Sequence, residues 1–193
     1  MARLVFNYAS MNAGKTTRLL QVAYSYTSSG KSVACFLPEL ETRFGEEKGM
    51  IKSRIGLETP ATVIGKSDNI LDLIDNWEDF DLILIDEVQF LSKEQIDQIS
   101  DIVDVHGVTV LCYGLRNDFQ GNLFEGTEAM FATADAFEEI KGVCSHESCT
   151  RGATHVLRVD SAGIVLSEGE QVSVGAEDSY HAVCRGHYKK QQY

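Results

Sequence analysis

The sequence predicts an α/β fold: a mostly parallel sheet flanked by helices, with a small β-rich domain at the C-terminal end. Three observations carry this. Apolar runs at residues 4–6, 32–37, 82–85 and 108–113 are continuous rather than alternating, as in strands covered on both faces. Helical patterns lie between them, and strands alternating with helices imply crossover connections and parallel pairing. After about Val143 the texture changes to short β-like runs at 154–159, 163–166, 171–174 and 180–183, separated by turn residues. The expected division is therefore 1–142 and 143–193.

The helices are read from their apolar faces. Leu19, Leu20, Val22, Ala23 and Tyr26 make the first, and Ile70, Leu71, Leu73, Ile74 and Trp77 predict a second. A third follows Ser92, with Gln95 completing a capping box and Ile96, Ile99 and Ile102 as its stripe. With 193 residues, 44% hydrophobic, and only 2 prolines, the chain can bury one good-sized core.

Composition also narrows the function. The net charge of −12 argues against a general nucleic-acid binder, which usually carries a basic face. No apolar run approaches the roughly 20 residues of a membrane span, and no signal-peptide pattern opens the chain. Five cysteines, an odd number without a secretion signal, read as reduced thiols or metal ligands. A cytoplasmic protein acting on a small molecule is expected, with no membrane or nucleic-acid partner.

The stretch "YASMNAGKTTRLL" stops a strand and restarts the chain as a helix. Ala9, Ser10, Met11, Asn12, Ala13, Gly14, Lys15 and Thr16 match the phosphate-binding P-loop, with Ala9 where the first glycine usually stands. Small residues let successive N–H groups turn inward around an anion, and the helix points its positive end at the same place. Lys15 adds a full charge at the β- and γ-phosphates, and the Thr16 hydroxyl is offered to Mg²⁺. "DLILIDEVQF" supplies the acidic partner: a buried strand delivering Asp86 to the metal, followed by Glu87. Successive strand side chains point to opposite sides, so one acid faces the Mg²⁺ and the other the phosphoryl acceptor. The sheet thus reads as P-loop NTPase-like.

Cys144-x4-Cys149 and Cys184-x2-His187, joined by short strands, have the form of two knuckles of a zinc ribbon. His146, two residues after Cys144, is an alternative ligand. Cys35 and Cys112 lie in apolar strands and read as core thiols.

Together these features resemble the type II thymidine kinases, nearly end to end. The resemblance is carried by "SMNAGKT", "LETRFG", "SRIG", "DEVQFL", "GLRNDFQGNLF", "GEQVSVG" and "YHAVCRGHY". It implies transfer of the ATP γ-phosphoryl group to the 5′-hydroxyl of thymidine or deoxyuridine, in deoxynucleotide salvage. It implies Glu87 as general base, Arg43 near the phosphates, Glu41 close to the metal, and Val88 and Gln89 with Asp86 and Glu87 in the ATP site. Met11, Leu115, Phe119 and Phe124 match the walls of the nucleoside pocket. Val172, Ser173, Val174, Gly175 and Tyr180 match a lasso loop over the thymine. The resemblance further implies Mg²⁺ with ATP, structural Zn²⁺, a homotetramer, and feedback inhibition by thymidine triphosphate. This sequence departs from the family at Ala9, at Asn12 and in two extra residues within the first knuckle. The alternative is a P-loop ATPase acting on nucleic acid, with the zinc ribbon as its binding module.

Overall fold

The computed structural model describes residues 1–39, 49–171 and 179–193. In chain order, β1 (Leu4–Ala9) leads into α1 (Lys15–Ser28) and β2 (Val33–Pro38). A hairpin of β3 (Met50–Lys52) and β4 (Glu58–Pro60) precedes β5 (Thr62–Ile64) and β6 (Leu82–Ile85). Then come α2 (Lys93–Asp104), β7 (Val110–Leu115), α3 (Glu125–Thr133) and β8 (Ala136–Glu139). The C-terminal part holds β9 (Gly142–Val143), β10 (Gly152–Ala153), β11 (His155–Val159), β12 (Val165–Leu166), β13 (Ser179–Val183) and α4 (Arg185–Lys190).

The central sheet has the order β5-β2-β6-β7-β1-β8, and its pairings are all parallel. Its inner strands are apolar on both faces because both faces are covered, whereas the edge strand β8 is largely exposed. On β6, Ile83 and Ile85 join a cluster with Ile96, Ile99 and Ile102 of α2. The alternate residues, Leu82 and Leu84, join Leu19, Leu20 and Ala23 of α1 on the opposite face. The capping box that opens α2 is present, with Ser92 Oγ accepting from Gln95 N and Gln95 Oε1 accepting from Ser92 N.

The expected helix over Ile70–Trp77 is corrected. Two short 3-10 turns, Ile70–Leu73 and Trp77–Asp79, stand there, with Ile74 extended between them. Asn69 caps the first turn through its side chain, and Trp77 Nε1 reaches back to Leu71 O. Asn and Asp side chains along this segment offer the backbone local partners other than a helical ladder. The apolar residues still do their packing work: Ile70 and Trp77 are each 1% exposed.

The C-terminal strands form an antiparallel β9–β10 pair and an antiparallel β12-β11-β13 sheet. Leu157 and Val183 pack with Cys144 and Cys184 in a cluster of their own. Among the described residues no helix is long and apolar enough to cross a membrane.

Candidate active site and metal centre

β1 runs through Ala9, which has an ordinary strand conformation, so alanine is accommodated where a glycine is usual. The turn that follows is made by two left-handed residues, Asn12 at φ 60° and Gly14 at φ 84°. Asparagine tolerates this region better than other side chains, and glycine has no Cβ to oppose it. α1 then begins at Lys15, which is buried. The C-terminal part backs the loop: Ser10 Oγ donates to Ala153 O at 3.4 Å.

Thr16, in the first turn of α1, donates from Oγ1 to Asp86 Oδ2 at 2.8 Å. Asp86 Oδ1 accepts the Glu87 N–H at 3.0 Å. The strand ends at Ile85, and Glu87 is left-handed at φ 50°. The separation of the two acids is therefore corrected in its cause: a turn, rather than strand alternation, sets them apart. Glu87 Oε2 accepts from Gln89 Nε2 at 2.6 Å, and Gln89 Oε1 accepts from Leu115 N at 2.9 Å. Burial raises the Asp86 carboxyl well above its usual value, and the Glu87 charge adds to this; Lys15 and the Thr16 hydrogen bond act against it.

A cavity of about 200 Å³ opens beside the P-loop, lined by Asn12, Lys15, Thr16 and Glu87 on one side. The β3–β4 hairpin lines the other with Lys52 and Arg54. Sequence reasoning assigned these two cations no role. Only tertiary placement of the hairpin brings them to the P-loop, and "SRIG" carries no spacing that signals it.

Leu115 ends β7 half-buried, while Phe119 and Phe124 are buried in the loop between β7 and α3. Phe124 packs edge-on against Phe90, and the Arg158 guanidinium lies 5.2 Å over the Phe119 ring. Asp118 ties this loop together, accepting from the backbone of Gln120 and Asn122 and from Gln171 Nε2, each at 2.9 Å. Met11 sits half-buried on the P-loop, and Tyr180 lies on β13 opposite Arg158. Glu41, Arg43, Val172, Ser173, Val174 and Gly175 lie outside the described residues.

At the other end of the C-terminal part, ligand atoms of Cys144, Cys149, Cys184 and His187 all lie within 4.8 Å of one another. Three thiols and an imidazole at such separations can hold a metal ion. The Cys184 thiol is held below its usual value, chiefly by the His187 N–H and then that of Gly186. His146 stands outside this set: its ring stacks on that of His187 at 3.8 Å, and its Nδ1 bonds Glu147 O. Cys35 and Cys112 are buried in β2 and β7. Burial pushes the Cys35 thiol up to about 11 and raises that of Cys112 as well.

The family model described as thymidine kinase matches residues 2–188. A thymidine kinase of Rhodopirellula baltica is 46% identical over 196 residues, covering 100% of this chain and 90% of that one. One from Shewanella oneidensis is 44% identical, covering 98% of each chain. One from Haemophilus influenzae is 45% identical, covering 98% of this chain and 97% of that one. In this chain the P-loop stands against a buried acid pair, and the family model matches nearly its whole length; the chain belongs to the thymidine kinase family.

Proposed function

We propose that the protein is an ATP-dependent thymidine kinase, moving the γ-phosphoryl group to the thymidine 5′-hydroxyl. The observation that carries this is the meeting of Thr16, Asp86 and Glu87 beside the P-loop cavity, in a chain of that family. Ala9 to Thr16 cradle the phosphates, with Lys15 as the fixed charge and Arg43 added from outside the described residues. Thr16 and Asp86 fit Mg²⁺, since they offer two hard oxygens, one on a buried carboxylate whose ionisation costs free energy without a cation. When bound, Mg²⁺ supplies charge neutralisation at the phosphates.

Glu87 accepts the proton of the 5′-hydroxyl. The transition state is loose, so the proton leaves late and no strong base is needed. Met11, Leu115, Phe119, Phe124 and Tyr180 seat the nucleoside, with the segment 172–175 over the base. Cys144, Cys149, Cys184 and His187 hold a structural Zn²⁺, a choice supported by the thiolate-rich, four-ligand set. The separate apolar cluster around Leu157 and Val183 supports reading 143–193 as a small domain beside 1–142. The family resemblance extends the reading to a homotetramer in the cytoplasm, inhibited by thymidine triphosphate.

The test is ATP turnover against the common deoxynucleosides. Thymine and uracil present an N3–H donor between two carbonyl acceptors, and cytosine reverses part of that pattern. Sites built on such hydrogen bonds reject a mismatched base by roughly 10⁴-fold, whereas one methyl group changes affinity only about 10–200-fold. Thymidine and deoxyuridine should both react, with deoxycytidine and the purine deoxynucleosides inert. Efficient phosphorylation of deoxycytidine would overturn the assignment. ATP hydrolysis driven by single-stranded DNA would instead favour the nucleic-acid ATPase.

A further inference from the structure

Gln89 belongs to the segment that the family resemblance places in the ATP site, yet its surroundings give it other work. It is 2% exposed, and both ends of its amide are engaged within the protein. Oε1 accepts the Leu115 N–H at 2.9 Å, and Nε2 donates to Glu87 Oε2 at 2.6 Å. This orientation follows from chemistry. A backbone N–H can only donate, so the amide oxygen must face Leu115 and the nitrogen must face the carboxylate. The seat leaves little freedom: a Cβ on Gly114 would stand 3.0 Å from Gln89 Oε1 and 2.8 Å from Val88 Cγ1.

We propose that Gln89 is a positioning residue: it grips the Glu87 carboxylate by Oε2 and fixes its direction relative to the Leu115 backbone, at the wall of the acceptor pocket. The base and the seat of the nucleoside are then aligned through one side chain. This rests on the reading of Glu87 as the base for thymidine. Among the described residues, charged groups beside Glu87 include Asp86, Lys15 at the start of α1, and Lys52 and Arg54 on the facing hairpin.

The experiment compares wild type, Glu87→Gln, Gln89→Met and Gln89→Asn in kcat and in KM for each substrate. Gln89→Met keeps the length and loses both hydrogen bonds. It should lower kcat by roughly 10–100-fold, the cost typical of removing a partner that orients a metal-ligating side chain. KM for ATP should stay within a few-fold. Gln89→Asn keeps the amide but is one methylene too short to span Leu115 N and Glu87 Oε2, so it should show the same split between kcat and KM for ATP. Should Gln89→Met fail to fold, Gln89→Asn carries the test through that split. A Gln89→Met enzyme with wild-type kcat overturns the proposal, as does a loss confined to KM for ATP. Inactivity of wild type toward thymidine, or full activity of Glu87→Gln, overturns the functional reading and this role with it. Impairment of Glu87→Gln beside an unchanged Gln89→Met overturns the Gln89 role alone.

Discussion

Thr16 Oγ1 and Asp86 Oδ2 meet at 2.8 Å across 70 residues of sequence, joining the first turn of α1 to the end of β6. The contact leaves a buried carboxylate beside Lys15 and Glu87, with its own ionisation opposed by burial. Even with Lys15 beside it, ionising this buried side chain costs the fold stability. With Asp86 proposed as a Mg²⁺ ligand, function and stability conflict at this residue.

Asp86→Asn should stabilise the protein without nucleotide. The folded carboxyl is raised to about 7, against about 3.9 for an unfolded Asp. Between these values the folded state binds the extra proton, so the contribution of this group to stability is full at low pH and is lost as pH rises through about 7. The melting-temperature advantage of the variant should be small near pH 4 and grow toward pH 7.5. Adding MgATP should reverse the order, because only wild type binds it well. A pH-independent difference between the two would refute this.

Glu87→Gln should keep the fold and ATP binding and lose roughly 10²–10⁴-fold in phosphoryl transfer, the usual worth of a positioned base. Lys15→Ala should raise KM for ATP and lower kcat together, since its charge meets the phosphates in ground and transition states alike. Steady-state kinetics with thymidine separate the two patterns. Turnover by Glu87→Gln within a few-fold of wild type would remove Glu87 as the base.

Much of this was legible in the sequence because local chemistry determined it. Leu82–Ile85 reads as a doubly covered strand since all four side chains are apolar, and they are buried on two opposite faces. Ser92 and Gln95 announce the start of α2 because a capping box is a local device. The apolar stripe from Ile70 to Trp77 misled, since its spacing suits a helix while Asn69 and the intervening Asp and Asn residues favour turns. Strand β8 escaped notice because it is an edge strand, and its AFEE sequence is largely exposed. α3 is short and holds a glycine, so periodicity over it is weak. At the site, the acids and the P-loop were readable as motifs. The Gln89–Leu115 bond and the approach of Arg54 depend on which distant elements pack together, and no local pattern encodes that.

The metal centre predicts a stoichiometric result. Elemental analysis should find one zinc per chain, and Cys184→Ala should lose it while His146→Ala retains it, since the imidazole stacks on His187 outside the ligand set. Removing the metal with a strong chelator should lower the melting temperature, because Cys144 and Cys184 are also part of the apolar cluster with Leu157 and Val183. Full occupancy after Cys184→Ala, or metal loss after His146→Ala, would redraw the site.

Gly126 offers a test of how closely α3 must approach the segment that carries Glu87 and Gln89. A Cβ there would overlap the Val88 carbonyl oxygen and stand 2.8 Å from that of Leu91. Both obstacles are backbone, so neither can swing aside as a flexible side chain would. Alanine improves helix propensity over glycine by about 1 kcal/mol, but forcing atoms into a packed interior costs typically 1–3 kcal/mol and occasionally more. Overlap with backbone belongs at the upper end, so Gly126→Ala should be destabilised by roughly 1–2 kcal/mol net, or about 2–8 °C in a chain of this size. Gly152→Ala is the control: the nearest atom to its Cβ would be Gly142 O at 3.8 Å, an ordinary contact. Displacing Val88 also moves Gln89 and Glu87, so Gly126→Ala should lose kcat as well as stability, while Gly152→Ala changes neither. Equal melting temperatures for the two variants would mean that α3 can withdraw from the Val88–Leu91 backbone at little cost.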